Sequence, residues 1–190
     1  MHASICDLLA DIVQNSIEAD ASLIRISFIQ TDDMLSVEVL DNGRGMDEKQ
    51  QIKALDPFYT DGHKHAARKV GLGLPFLKQM VDLTEGIFSL RSEKGKGTDV
   101  SFTIDLSHID APPVGDIVMT LTGLFSYPSE SEIIFRRVFA RGGEHDEYEV
   151  EKSGLLEVLG DLNTVGNLLL VKEYMQSQEA AVEDVHHRVR

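Results

Sequence analysis

Two acidic side chains and one amide are spaced in this chain as a site for metal-assisted chemistry would need. Asp11 and Asn15 are four residues apart, which places them on one face of a helix. An amide oxygen is a hard ligand suited to Mg²⁺, and a carboxylate one turn away can orient or deprotonate a water molecule. Asp41 ends an alternating apolar run and is followed by N-G-R-G-M at residues 42–46. For the first helix alone, a solvated polar face is the simpler interpretation.

Six glycines form three G-x-G pairs, at residues 43 and 45, 71 and 73, and 95 and 97. Glycine has no Cβ, so the backbone N–H groups around it can approach a ligand closely. The second pair also opens a predicted helix, where free N–H groups and the helix dipole favour an anion such as phosphate. A turn or a helix entry explains any single pair, and neither G-x-x-x-x-G-K-[ST] nor G-x-G-x-x-G occurs.

The elements that must position these residues follow from the apolar periodicity. Residues 1–20 predict an amphipathic helix whose polar face carries Asp11 and Asn15. The order α-β-β-α-loop-α-β-β predicts an α+β fold with a largely antiparallel sheet. The further elements are predicted as strands at 22–30 and 34–40, helices at 47–55 and 71–84, and strands at 87–92 and 98–106.

A Pro/Gly junction, HIDAPPVGD at residues 108–116, separates this region from the rest of the chain. We therefore predict one domain over residues 1–107 and a small α/β C-terminal extension over residues 108–190. Within the extension, the pattern predicts a helix at 117–126, strands at 132–140 and 147–153 around a loop, and helical segments near 154–162 and 166–182.

The charge and composition limit the classes of function. The net charge is −14, which disfavours general binding to nucleic acid. Cys6 is the only cysteine, which favours a reducing compartment over a disulfide framework. We see no signal-peptide pattern and no apolar run approaching the ~20 residues that a membrane helix needs. We expect a soluble, cytoplasmic protein.

One segment departs from the acidic composition. Residues 56–70 carry Pro, Gly and charge, and we expect a mobile loop there. Between residues 62 and 70, Lys64, Arg68 and Lys69 occur with no acidic side chain. A local basic patch on an acidic protein indicates a small anionic ligand, although ordinary solvated loop charge also explains it.

Five motifs occur in the order that is characteristic of one family. They are D-I-V-Q-N-S-I-E-A-D-A-S, D-N-G-R-G-M, D-P-F, G-L-G-L and G-K-G-T. Over about residues 5–106 the chain resembles the GHKL ATPases, which include gyrase, the heat-shock chaperone, histidine kinases and the MutL mismatch-repair proteins. The resemblance implies a Bergerat fold, which is a two-layer α/β sandwich with a mixed, mostly antiparallel sheet and helices on one face. It also implies that the protein binds Mg²⁺ and ATP.

The resemblance implies a role for each motif residue. Asn15 coordinates Mg²⁺, and Asp41, supported by Thr98, accepts a hydrogen bond from the adenine amino group. Asp11 takes the place of the catalytic base, one methylene shorter than the glutamate usual in hydrolysing members. Residues 56–70 become a lid whose cations close over the triphosphate. The other nucleotide-binding residues that it implies are Gly43, Gly45, Met46, Lys64, Arg68, Lys69, Gly71, Leu72, Gly73 and Leu74.

Three functions are compatible with these motifs. The first is a Mg²⁺-ATP-binding protein that hydrolyses ATP slowly or regulates through its lid and its C-terminal extension. The second is a kinase that phosphorylates Ser or His of a separate partner, as the related anti-sigma kinases do, since we see no phosphoacceptor helix hairpin. The third is a non-catalytic nucleotide sensor or scaffold. The extension can dimerise or bind a protein, and its start resembles stand-alone ATP-binding proteins often encoded beside iron hydrogenases in anaerobic bacteria.

Overall fold

The computed structural model describes residues 4–57 and 73–183. Within these ranges, six strands form one open sheet, and helices cover one of its faces, so the predicted α+β fold is confirmed. The elements are α1 (Ile5–Glu18), β1 (Leu23–Gln30), β2 (Met34–Asp41), α2 (Glu48–Ala54), α3 (Gly73–Leu83), β3 (Phe88–Glu93), β4 (Gly97–Asp105), α4 (Ile117–Ser126), β5 (Glu132–Arg141), β6 (Glu144–Glu151), α5 (Lys152–Leu159) and α6 (Val165–Glu183).

The strands lie in the order β3-β4-β2-β1-β5-β6. All neighbouring pairs are antiparallel except β1 and β5, which are parallel. Ile24, Ile26 and Phe28 of β1 point to the buried face, whereas the alternate Arg25 is exposed. This period of two is expected for a sheet with one covered and one solvated face.

Helix α1 is fixed at both ends by side chains close to it in space. Ser4 and Asp7 form a capping box at its start. The Asp7 carboxylate accepts hydrogen bonds from the backbone N–H and the hydroxyl of Ser4, and these bonds, most of all the one from the backbone, lower the pKa of Asp7. At its end, a guanidinium nitrogen of Arg44 donates to the carbonyl oxygen of Glu18 at 2.7 Å. A cation there also opposes the negative end of the helix dipole. The rotation of α1 about its axis is set by its buried residues, which are Ile5, Cys6, Leu8, Leu9, Ile12, Val13 and Ser16.

The predicted boundary between residues 107 and 108 does not divide the sheet. Strands β5 and β6 extend the same sheet beyond β1, and their inward side chains belong to the same hydrophobic core as those of β1 and β2. The extension also contacts both ends of α1, because Ile5 N–H donates to the carbonyl oxygen of Pro113 at 3.0 Å and the Ser131 hydroxyl donates to that of Ala21 at 2.7 Å. The division into two domains stays a prediction, while the core spans both parts.

The hairpin of β5 and β6 is tighter than its sequence suggested. We expected a loop over residues 141–146, but Arg141 pairs with Glu144, and Gly142 and Gly143 form the whole turn with φ of 58° and 89°. Two positive φ values match the type I′ turn, whose twist suits adjacent strands. As a result, β6 begins three residues before the predicted strand at 147–153, and α5 begins at Lys152.

A buried ion pair attaches α6 to the sheet. Arg137 of β5 is only 3% exposed, and its Nε lies 3.4 Å from a carboxylate oxygen of Glu179 on α6. Its guanidinium carbon lies 5.0 and 5.7 Å from the ring centroids of Phe28 and Phe139. The Tyr148 hydroxyl donates a hydrogen bond to the same Glu179 carboxylate. The pKa of Tyr148 is raised, mainly because the hydroxyl is buried and also because the negative charge of Glu179 is close to it. The other guanidinium nitrogens of Arg137 donate to the carbonyl oxygen of Val138 at 3.1 Å and to Oε1 of Gln30 at 2.8 Å, and Glu179 supplies the negative charge beside it.

Replacing Glu179→Ala is expected to lower the free energy of unfolding by about 3 kcal/mol, since it leaves the Arg137 charge buried without its partner. Urea denaturation followed by circular dichroism measures this change. The matched control is Glu173→Ala on an exposed position of the same helix, expected to change stability by no more than about 0.5 kcal/mol. Equal effects of the two variants would contradict this account of the ion pair.

Candidate active site

The carboxylate of Asp41 is buried at the end of β2 and is held by three elements. Its Oδ1 accepts hydrogen bonds from the backbone N–H of Gly43 at 2.8 Å and of Thr98 at 3.2 Å. Its Oδ2 accepts from the hydroxyl of Ser16 on α1 at 2.7 Å. An ionised carboxylate offers about four acceptor positions. Three are used by these described residues, which leaves one acceptor position for a further donor, as the exocyclic amine of a purine would be.

Ser16, which bonds to the predicted site residue Asp41, was not itself predicted. It lies on the buried face of α1 among apolar residues. Its hydroxyl also lies 3.4 Å from the carbonyl oxygen of Ile12, one turn back, but the bond to Asp41 is the shorter one. A hydroxyl on the core face of a helix, one position after Asn15, was the available signal.

The glycines that follow Asp41 have structural reasons of their own. A Cβ on Gly43 would lie 2.8 Å from the carbonyl oxygen of Ala19 at the end of α1. Gly45 has a φ of +60°, and a Cβ there would lie 2.0 Å from the carbonyl oxygen of Glu93. The backbone therefore needs both glycines where it packs against other backbone. Their role in binding nucleotide stays a prediction.

Ser92 of β3 connects the loop after β2 to β4. The N–H of Met46 donates to the Ser92 hydroxyl at 2.8 Å, and this hydroxyl lies 2.9 Å from the carbonyl oxygen of Gly97 and 3.0 Å from the Thr98 hydroxyl. A hydroxyl has one proton, so donation to Gly97 makes Thr98 the donor in the other contact. Gln51 of α2 donates to the carbonyl oxygen of Ser92 at 2.9 Å. Met46 and Thr98, both predicted site residues, are therefore brought together through a serine that was not predicted.

Asp11 lies beside the first residue of α3. Asp11 and Asn15 are both exposed on α1, one turn apart, as the sequence predicted. A Cβ on Gly73 would lie only 2.8 Å from Cβ of Asp11, so the glycine permits this close approach. Leu74 next to it is buried in the core. The structure thus brings Asp11 and Gly73 together, with the amide of Asn15 one turn further along α1.

Five predicted site residues, Lys64, Arg68, Lys69, Gly71 and Leu72, lie outside the described residues, as does most of the predicted lid. Within residues 4–57 and 73–183, no three His, Cys, Asp or Glu side chains are grouped as a metal site. The Asn15 amide oxygen nevertheless fits Mg²⁺, which commonly takes few protein ligands and completes its shell with water and phosphate oxygens. In the same ranges, no helix is long and apolar enough to cross a membrane.

The family assignment follows from comparison with known proteins. A profile of the family described as "Histidine kinase-, DNA gyrase B-, and HSP90-like ATPase" matches residues 3–108, which include α1, α3 and the loop after Asp41. The chain belongs to this family. The matched residues form an ATP-binding region of the GHKL type and include every predicted site residue. Strands β5 and β6 lie outside the matched residues.

The relatives with curated names include sensor kinases. The "Non-motile and phage-resistance protein" of Caulobacter vibrioides is 30% identical over 88 residues, covering 45% of this chain and 10% of that protein. Sensor histidine kinase RcsC of Escherichia coli is 28% identical over 102 residues, covering 52% and 11%. Sensor histidine kinase WalK of Bacillus subtilis is 31% identical over 107 residues, covering 53% and 17%. The chain thus matches less than a fifth of each of these relatives.

Among solved structures, the nucleotide-free catalytic domain of histidine kinase ThkA matches with 25% sequence identity. The match covers 52% of this chain and 63% of that chain, with a TM-score of 0.40.

Replacing Ser16→Ala is expected to weaken Mg²⁺-ATP binding by about three- to tenfold, because one hydrogen bond that orients Asp41 contributes roughly 0.5–1.5 kcal/mol. Isothermal titration calorimetry measures the dissociation constant. Ser27→Ala, on the opposite face of the sheet, serves as the control and should bind as the parent does. If the two variants bind equally well, the hydroxyl of Ser16 does not orient the carboxylate.

Proposed function

We propose that the chain binds Mg²⁺-ATP between α1, α3 and the ends of β2 and β4, and acts as a slow ATPase or a nucleotide-dependent regulator. The environment of Asp41 is the observation that supports this most strongly. Its carboxylate is buried, three donors hold it, and it has room for one donor more. Hydrogen bonds to an ionised acceptor are strong, so this carboxylate suits recognition of the adenine amino group.

The other roles follow from where the residues lie. Asn15 supplies an amide oxygen to Mg²⁺, which would neutralise phosphate charge when it is bound. Thr98 supports Asp41 through its backbone N–H, and Gly43 does the same from the other side. Gly73 begins α3, and the start of a helix favours a phosphate group. The lid cations Lys64, Arg68 and Lys69 complete the phosphate site in this proposal.

Asp11 is the base of the proposed hydrolysis. It sits beside the start of α3 and one turn from Asn15, so its carboxylate is near both features that attract the phosphates. In this role it accepts a proton from the water that attacks the terminal phosphate. Its side chain is one methylene shorter than the usual glutamate, which places the carboxylate further from the water and favours slow turnover.

The extension is positioned to respond to α1. The side-chain amide of Gln14, next to Asn15, donates to the Tyr127 hydroxyl at 2.8 Å, and Tyr127 follows α4. Pro113 of the extension accepts a hydrogen bond from Ile5 at the start of the same helix, and Ser131 donates to the carbonyl oxygen of Ala21, three residues after its end. In our proposal, a nucleotide-dependent shift of α1 therefore reaches the extension, which contacts a protein partner or a second copy in the cytoplasm.

A second candidate function is a kinase that transfers the terminal phosphate of ATP to Ser or His of a separate protein. The observation that favours it is that RcsC and WalK, two of the relatives, are named sensor histidine kinases. Such a kinase would use the same adenine, Mg²⁺ and phosphate contacts. It would differ in the acceptor, which would be a partner's side chain and not water.

The variant Asp41→Asn is expected to weaken ATP binding tenfold or more, because losing a hydrogen bond to a charged acceptor costs ~1.5–3 kcal/mol. Calorimetry with ATP and GTP, each with Mg²⁺, tests this, and the parent should prefer ATP because guanine presents an oxo group where adenine presents its amine. Glu38→Gln removes a charge from an exposed position of the same strand, β2, and should leave affinity unchanged. Unaltered ATP affinity in Asp41→Asn would end the proposal.

With γ-labelled ATP, the parent is expected to release free phosphate slowly, and Asp11→Asn should lower this rate by at least about tenfold, within the range of general base catalysis. Thin-layer chromatography separates the products. Asp82→Asn, an exposed acid on α3, is the control. An Asp11→Asn variant as fast as the parent rules out Asp11 as the base. Label on a candidate partner protein, in place of free phosphate, would favour the kinase.

A further inference from the structure

Helix α6 carries large apolar side chains on its outward side as well as on its buried side in its first three turns. Residues 165–175 read V-G-N-L-L-L-V-K-E-Y-M. A helix at the surface normally carries one apolar stripe, whereas a helix that is apolar on every side is normally buried on every side. Val171 and Met175 fill the core, with 1% and 0% exposure. The remaining large apolar side chains of this stretch are therefore in excess of what the core uses.

Those side chains lie on the outward face of α6. The exposed ones are Val165 at 75%, Leu169 at 55%, Leu170 at 50% and Tyr174 at 42%. Singly exposed apolar residues are ordinary, but four within ten residues of one helix form a patch of the kind that marks an interaction site.

Helix α4 continues this patch. It packs against α6 on the same face of the sheet, so the outward faces of the two helices form one surface. Met119 of α4 is half exposed, and Gly123, in the interior of the helix, is exposed with open space where a Cβ would be. A glycine in the interior of a helix is less stabilising than alanine, and no described neighbour requires this one. A glycine on an outward face allows another backbone to approach closely. We call Met119, Gly123, Val165, Leu169, Leu170 and Tyr174 the α4–α6 surface.

The charges around the α4–α6 surface indicate what covers it. Glu173 is exposed among the apolar residues of α6, Asp116 caps the start of α4, and Asp161 is exposed just before α6. Lys172, which is half-buried, is the basic residue of α4 and α6 within the described chain. A second copy would bring two such acidic borders together, on chains that each carry −14. A basic partner is complementary to this border.

We propose that the α4–α6 surface docks an amphipathic helix of another protein, with aliphatic residues on its inner face and Lys or Arg on its flanks. Helices commonly bind in this way, through anchors spaced three and four residues apart. The surface lies on α4 and α6, whereas the proposed nucleotide site lies on α1, α3, β2 and β4, so both can be occupied together. The inference deepens the proposed function by naming the class of protein partner for the extension.

The test uses a fluorescein-labelled peptide of Leu and Lys, about 18 residues or five turns long, patterned to form an amphipathic helix. Fluorescence anisotropy without nucleotide measures its binding to the full chain. Two further peptides act as controls: one with the same composition in scrambled order, and one with Glu in place of Lys. We expect saturable binding of the first peptide, binding at least about tenfold weaker for both controls, and weaker binding at higher salt.

The double variant Leu169→Ser/Leu170→Ser should weaken binding of the Leu/Lys peptide by tenfold or more, since it removes two apolar side chains that the peptide would bury. Ile87→Ser, which removes an apolar side chain that is even more exposed, at 71%, next to β3, should bind the peptide as the parent does. A second variant, Glu173→Lys, changes only the surface charge. We expect it to bind the Leu/Lys peptide several-fold more weakly than the parent does. Circular dichroism melts verify that each variant is folded.

Several results would overturn the inference: no saturable binding, equal binding of the scrambled or acidic peptide, or equal binding by the folded Leu169→Ser/Leu170→Ser variant. Sedimentation equilibrium tests one more such result. If the parent chain is a dimer and the double variant is a monomer, the surface binds a second copy of the chain and not a different protein. Calorimetric titration of the double variant with Mg²⁺-ATP separates this question from the proposed function. Its ATP affinity should equal the parent's whether or not the peptide binds.

Discussion

The site depends on one buried carboxylate whose hydrogen bonds come from three separate elements. Asp41 is oriented by Ser16 from α1, Gly43 from the following loop and Thr98 from β4. Removing a charged group from water is unfavourable unless donors replace the lost solvent. Here the donors also fix the orientation of the carboxylate, so α1, the loop after β2 and the start of β4 must be in place before the acid can be buried. Correct assembly of the fold and preparation of the site are therefore the same event.

That coupling explains why the glycines near Asp41 serve structure as well as any ligand. Gly43 lets the loop reach the carbonyl oxygen of Ala19 at the end of α1, and Gly45 lets it reach Glu93 of the β3–β4 hairpin. Without these approaches, the N–H of Gly43 could not reach Asp41 and the N–H of Met46 could not reach Ser92. Pairs of the form G-x-G are often explained by ligand contact alone, but in this loop they first bring the backbone together.

Periodicity was sufficient to predict where most of the helices and strands lie, because most of them have one buried face and one solvated face. α1 is the clearest case, with Ile5 to Ser16 buried on one side and Asp11 and Asn15 exposed on the other. The motifs then predicted the family, which the profile match confirms, whereas the individual site roles stay predictions. Sequence reasoning missed Ser16 and Ser92, because a serine within an apolar pattern has no distinctive spacing. It also could not show that β5 pairs with β1, since parallel pairing depends on contacts remote in sequence.

The way the extension joins the sheet bears on how a nucleotide signal can travel. β5 pairs along the whole length of β1, and Arg137 of β5 holds α6 through Glu179. A linker-attached module would move independently of α1, whereas this one shares the core that α1 covers. A displacement of α1 must then be absorbed by β1, β5 and the helices packed on them, because close-packed interiors transmit small shifts instead of damping them. The predicted boundary after residue 107 is thus marked by the Pro/Gly junction in the sequence, while the sheet and its hydrophobic core continue across it.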